Sequence, residues 1–158
     1  MSSAPYREMG ESDKSGCWGD FGRDFGALVL RVVVSLTLVH HGLQKFHNPE
    51  GFSAGVVAKS FPSLPGTPLL WTYAAAGMEI VAPVLLACGL FARLASFGLL
   101  VTMSFANAFH FMTTGMEGYP LGVPAAGAYA FEPSMLCGAV FFYFMVAGPG
   151  KWSLTPKY

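Results

Sequence analysis

Several side chains able to donate, accept or carry a proton lie in stretches that otherwise read as hydrocarbon: Arg31, His40, His41, Gln44, Lys45, Glu79, Asn107, His110 and Glu132. Ionisable groups at membrane depth are costly, so they face the interior of a helical bundle and mark function. Histidine, lysine and carboxylate together can relay protons, or hold a quinone headgroup by its carbonyl oxygens. Histidine with glutamate can also hold a metal, but no HxxxH or ExxH pair sits on one helix here, so the metal signal is weak.

Helical geometry, at about 100° per residue, sorts these groups into faces. Arg31, Leu38, His41, Gly42 and Lys45 share one face of the first apolar segment, while His40 and Gln44 stack on a different side. The two adjacent histidines are therefore expected to point apart, with His41 inward. Glu79 falls near the middle of the second segment on a face of Ala75, Ala76 and Ala82, small residues that allow a close neighbouring helix. Pro83, four residues on, removes the N–H that would bond the Glu79 carbonyl. Asn107 and His110 are neighbours on a third segment. Glu132 precedes Pro133 at the start of a fourth, where a helix N-cap role competes with a site role. Arg31 lies roughly 9 Å above the inner end of its span by helical rise; it can pair with Glu79 across helices or snorkel inward, and the ion pair with Glu79 is the expectation.

The elements that carry these groups follow from composition. Of 158 residues, 53% are hydrophobic and 11% charged, with a formal net charge of zero. Average soluble domains carry roughly 25% charged residues, so one small soluble core is a poor home for this chain. Zero net charge and no basic patch point away from a nucleic-acid partner. Cys17, Cys88 and Cys137 form no CxxC pair, which gives neither a disulfide framework nor a zinc motif.

Four apolar runs, at about residues 25–45, 69–90, 94–113 and 132–148, suit an all-α integral membrane four-helix bundle. Residues 1–24 read as a polar, disordered or surface-lying tail without the apolar stretch of a signal peptide; residues 25–158 form the domain. The two long links are rich in Gly, Pro and aromatics, and VVAKSFPSL suggests a short interfacial helix. Arg7, Lys14, Arg23, Arg93, Lys151 and Lys157 lie on one side, against Lys45 and Lys59 on the other. That asymmetry places both termini on the cytoplasmic side and the long links outside.

In that arrangement His41, Gln44, Lys45, Asn107, His110 and Glu132 fall in the outer half with Glu79 just below, as walls of one polar pocket. His41 and Glu79 are the proton-handling pair, with Lys45 and His110 positioning a ligand. A quinone or small sulfur compound suits such a pocket; haem, chlorophyll or a metal are weaker readings of the same side chains. The competing reading is an accessory subunit of a respiratory or photosynthetic membrane complex, in which these charges only fix the bundle. A transporter is a third, without the inverted repeat common in such folds.

Three blocks in order, LRVVVSLTLVHHGLQKF, GMEIVAPVLLACGLFARLAS and GPGKWSL, resemble the DoxX family of small four-span membrane proteins. The resemblance runs from about Leu30 to Leu154, and Arg31, His41, Gln44, Lys45, Glu79 and Arg93 are the matching positions. It implies a four-helix membrane bundle. It also implies an association with redox chemistry, either quinone-coupled thiosulfate oxidation or membrane oxidoreductase complexes that handle thiol stress. It assigns no catalytic residue.

Overall fold

The computed structural model describes residues 13–155, with side chains from residue 19. Every regular element among them is helical. The long helices are α1 (Asp13–His47), α4 (Pro68–Cys88), α5 (Ala92–Thr113) and α6 (Glu132–Ala147). Between α1 and α4 run short α2 (Pro49–Phe52), a π-helical turn (Ser53–Val57) and α3 (Ala58–Ser60). Gly19–His47, Pro68–Cys88 and Ala92–Thr113 are long and apolar enough to cross a bilayer, and Glu132–Ala147 is a shorter apolar helix.

Several boundaries have a local cause. Thr67 accepts the Leu70 N–H through its Oγ1 at 3.3 Å, and Pro68 occupies the first turn, so α4 starts there. It stops at Gly89, whose φ of 72° is left-handed; the N–H groups of Gly89 and Leu90 return to Leu86 and Leu85 as in a Schellman motif. Phe91 completes the turn and α5 begins at once. Asn48 caps α2 by accepting the Gly51 N–H. At the start of α6, the Glu132 carboxylate accepts the Tyr129 N–H at 3.0 Å.

α1 packs along α4, α5 along α6, and α4 against α5 through the tight turn. α1 and α6 scarcely meet, which leaves the fourth seam of the bundle open. The α1–α4 seam is closest at Gly42, where a Cβ atom would lie 2.7 Å from Ile80 Cγ1 and 2.9 Å from the Ala76 carbonyl. Leu38, Leu86, Leu99, Met103, Phe141 and Phe144 fill the middle. Outward faces are apolar on all four long helices, with Leu36, Leu94 and Leu136 each at least 70% exposed. Such a surface suits lipid and not water.

The polar segment before residue 25 differs from the expected disordered or surface-lying tail. From Asp13 it is already part of α1; residues 1–12 lie outside the described residues. The cause is tertiary. Trp152 packs edge-on against Phe21 and Phe25, at 5.3 and 5.9 Å between ring centroids. Asp24, nearly buried, accepts the Lys151 N–H at 3.2 Å. Lys151 also reaches Asp20 at 3.1 Å, and that carboxylate holds the lysine above its ordinary pKa. Glycines at 16, 19 and 22 argue against a helix by propensity alone; docking onto the chain after α6 outweighs them.

Candidate functional site

A cleft of about 1940 Å³ lies between the α1–α4 pair and the α5–α6 pair. Its walls are chiefly apolar. The polar groups come from four elements: His40, His41, Gln44 and Lys45 on α1, Glu79 on α4, His110 on α5 and Ser134 on α6. Phe52, Val57 and Phe61 of the first long link line one end. That link is pinned by Trp71, whose Nε1–H donates to the Pro65 carbonyl at 2.7 Å.

The centre of the site is an ion pair. Lys45 Nζ donates to Glu79 Oε2 at 2.5 Å, with the carboxylate side chain 3% exposed and the lysine 14%. The ammonium also stands 5.0 Å from the centre of the Phe52 ring, within cation–π range. Helix geometry explains the register. Gly42 sits on the backbone of Ala76 and Glu79, and Lys45 is almost one turn further along the same face. The close approach at Gly42 thus delivers Lys45 to Glu79.

The expected Arg31–Glu79 ion pair is corrected by this register. Arg31 is 2% exposed, and its guanidinium donates to the carbonyl oxygens of Pro149 (2.6 Å) and Trp152. Gly42 marks the level of Glu79 on α1, and Arg31 lies about 16 Å below it by helical rise. The two charges share a face of the bundle but not a depth.

Other expected site residues divide. His41, Gln44 and His110 line the cleft. Asn107 sits behind that wall, where Ser134 Oγ–H, also 2.9 Å from the Phe131 carbonyl, donates to Asn107 Oδ1 at 2.6 Å. Glu132 does not join the site. It is exposed, and its carboxylate caps the loop before α6 through Tyr129.

His40 corrects the face argument. Its ring lies 4.0 Å from that of His41, centroid to centroid, at an interplanar angle of 35°, and both line the cleft. Adjacent Cα–Cβ vectors diverge by about 100° on a helix, but the imidazole rings reach back across that angle. Both side chains are exposed, unlike Glu79. The sequence also gave no signal for Asn48 and Trp71 in the lining, because both belong to the link and its junction with α4.

Chemically, the cleft has one buried proton-carrying pair, a close, mutually tilted imidazole pair nearer solvent, and long apolar walls. Among the described residues, no three His, Cys, Asp or Glu side chains gather as a metal site. Cys88 and Cys137 are free thiols.

The DoxX family model matches residues 26–112. An uncharacterised protein of Haemophilus influenzae is 33% identical over 138 residues, covering 86% of this chain and 92% of its own length. An uncharacterised membrane protein of Mycobacterium tuberculosis is 31% identical over 141 residues, covering 82% of this chain and 79% of its own. No solved structure matches.

Proposed function

This chain belongs to the DoxX family of membrane proteins, and from that premise we propose that it is a redox-associated protein whose cleft binds a quinone headgroup or a small sulfur compound. The observation that carries this reading is the buried Lys45–Glu79 pair at the polar end of an otherwise apolar cleft. A buried charge pair adds little to stability over a hydrophobic pair of the same shape. It does offer a ligand both a proton donor and a carboxylate in a water-poor setting, where hydrogen bonds are strong.

In this reading Lys45 donates to a ligand carbonyl or anionic sulfur oxygen, and Glu79 exchanges the proton. His41, with the His40 ring beside it, passes protons between Glu79 and water. Gln44 and His110 orient the ligand from opposite walls. The open α1–α6 seam admits a lipid-soluble ligand sideways from the bilayer. Reduction or oxidation of the ligand needs electrons from a separate redox partner, since the sequence holds no CxxC dithiol. Both termini lie on the cytoplasmic side, on the strength of the lysine and arginine asymmetry.

The test is titration of purified protein in mild detergent with decylubiquinone and, separately, with thiosulfate. Saturable binding to wild type that falls at least about tenfold in Glu79→Gln supports the site; tenfold corresponds to about 1.4 kcal/mol. Lys59→Gln, on the link, serves as control. Equal binding by wild type and Glu79→Gln would remove the site from consideration. The competing accessory role has its own observation: Leu121 and Val123, in the link between α5 and α6, are 93% and 88% exposed. If wild type binds neither ligand and co-purifies with respiratory or photosynthetic subunits, the accessory role replaces the ligand site.

A further inference from the structure

At the end of the bundle where α4 turns into α5, a second, smaller cavity of about 570 Å³ opens between α1, the start of α5, the end of α6 and the chain that follows it. Three cations from three different elements line it: Arg23, Arg93 and Lys151. Two carboxylates answer them. Asp20 pairs with Arg23 and Lys151, each at 3.1 Å, and Asp24 stands 3.6 Å from Lys151. Arg93 is left over; it has no ion pair among the described residues.

The Arg93 side chain is exposed and reaches the end of α6. Its guanidinium lies beside Gly148, where a Cβ atom would stand 3.5 Å from Nε, at the carbonyl end of α6. The partial negative charge there steadies the cation without neutralising it. Arg93 is also in the first turn of α5, whose positive end adds to the field. Next in sequence to the lining residues Arg93, Tyr143 and Ala147 stand the exposed apolar side chains Leu94, Phe142 and Val146. Tyr143, a half-exposed amphipathic ring, lines it, as suits the boundary between hydrocarbon and headgroups.

We propose that this cavity is a binding site for the phosphate of an anionic phospholipid, seated on Arg93 and flanked by Arg23 and Lys151, with the acyl chains lying on the outer faces of α5 and α6. The shared chemistry is a phosphate oxyanion accepting hydrogen bonds from a guanidinium. Lipid is the occupant favoured here, because exposed apolar side chains adjoin the lining residues of α5 and α6 in sequence and the cavity sits where the span Ala92–Thr113 begins. Basic pockets between spans hold anionic headgroups for the same reason. The site is separate from the large cleft and stands or falls independently of the cleft's ligand.

Native mass spectrometry of the delipidated full chain, titrated with an equimolar mixture of phosphatidylglycerol and phosphatidylcholine, tests it. Wild type is expected to retain phosphatidylglycerol preferentially, by about fivefold or more, the contribution of roughly one basic residue near a charged lipid. Arg93→Gln should abolish the preference. Arg93→Lys, which keeps the charge, should retain most of it, and Lys59→Gln all of it. If Arg93→Gln does not fold, Lys151→Gln is expected to weaken the preference in a folded protein. Equal retention of both lipids by wild type overturns the proposal, as does an unchanged preference in a folded Arg93→Gln protein. Displacement of phosphatidylglycerol by excess inorganic phosphate would assign the cavity to soluble phosphate and overturn the lipid assignment.

Discussion

Lys45 of α1 and Glu79 of α4 form a 2.5 Å ion pair whose carboxylate is almost wholly withdrawn from solvent. Removing either partner strands the other charge, the costly case for a buried pair. Lys45→Met and Glu79→Gln are each expected to destabilise the bundle, and the double variant to recover part of the loss. The coupling should be about 1–3 kcal/mol, the range for residues in direct contact. Thermal unfolding of the four proteins in one detergent measures it, and strict additivity would mean that the two charges do not depend on each other.

The register that brings this pair together depends on Gly42. A methyl group there meets Ile80 Cγ1 at 2.7 Å and, more seriously, the Ala76 carbonyl at 2.9 Å. A side chain can turn away, but a helix carbonyl cannot. Gly42→Ala is expected to cost about 1–3 kcal/mol by forcing α1 off α4. Gly26→Ala, on the same helix with nothing within 4 Å of the added carbon, is the control. It should be neutral or stabilising by up to ~1 kcal/mol through helix propensity. A Gly42→Ala protein as stable as the Gly26→Ala protein would show that the seam is not tight there.

This dependence on one glycine also shows why part of the site was legible in the sequence and part was not. Apolar runs and helical periodicity give which residues share a helix and a face. They locate the four long helices and place His41, Gln44, Lys45, Glu79 and His110 along one cleft. They do not give the axial register between two antiparallel helices joined by a link of about twenty residues. Lys45 and Arg31 lie on the same face of α1, so face alone could not choose which of them meets Glu79. The partners of Arg31 are backbone carbonyls, which carry no mark in a sequence. Glu132 had two readings of similar weight; its carboxylate takes the Tyr129 N–H in the loop before α6 and does not line the cleft. The early start of α1 needed Trp152, more than a hundred residues away.

Lys151 gives a prediction in pH. Its carboxylate partner Asp20 raises its pKa above the ordinary 10.5. A raised cation contributes stability that is complete below the ordinary value and is lost as pH climbs through the folded one. Docking of Trp152 between Phe21 and Phe25 should therefore hold steady from neutral pH to about 10 and loosen only above the ordinary lysine pKa. Trp152 emission in a Trp18→Phe/Trp71→Phe background reports this as a red shift. Lys151→Gln should remove the alkaline transition; if the transition persists unchanged in that variant, another group is titrating.

Arg31 is the anchor of the chain after α6. Its guanidinium bonds the carbonyls of Pro149 and Trp152, and the same stretch is stitched to α4 by Leu154 N–H donating to Cys88 O at 3.0 Å and by Thr155 Oγ1–H donating to Gly89 O. Gly89 has no side chain because Ser153 occupies the space where one would go. Hydrogen bonds to a charged group contribute about 1.5–3 kcal/mol each, so losing both in Arg31→Met should free the segment while the spans stay packed. Trypsin then cleaves after Lys151 at least about tenfold faster than in wild type, because cleavage follows the population of the opened state. Arg31→Lys should fall between the two, since an ammonium lacks the fork that reaches two carbonyls at once. Cleavage after Lys59, at the opposite end of the bundle, should be unchanged in all three proteins. Acceleration at both lysines would indicate general unfolding, and no acceleration at Lys151 would show that the other bonds hold the segment without Arg31.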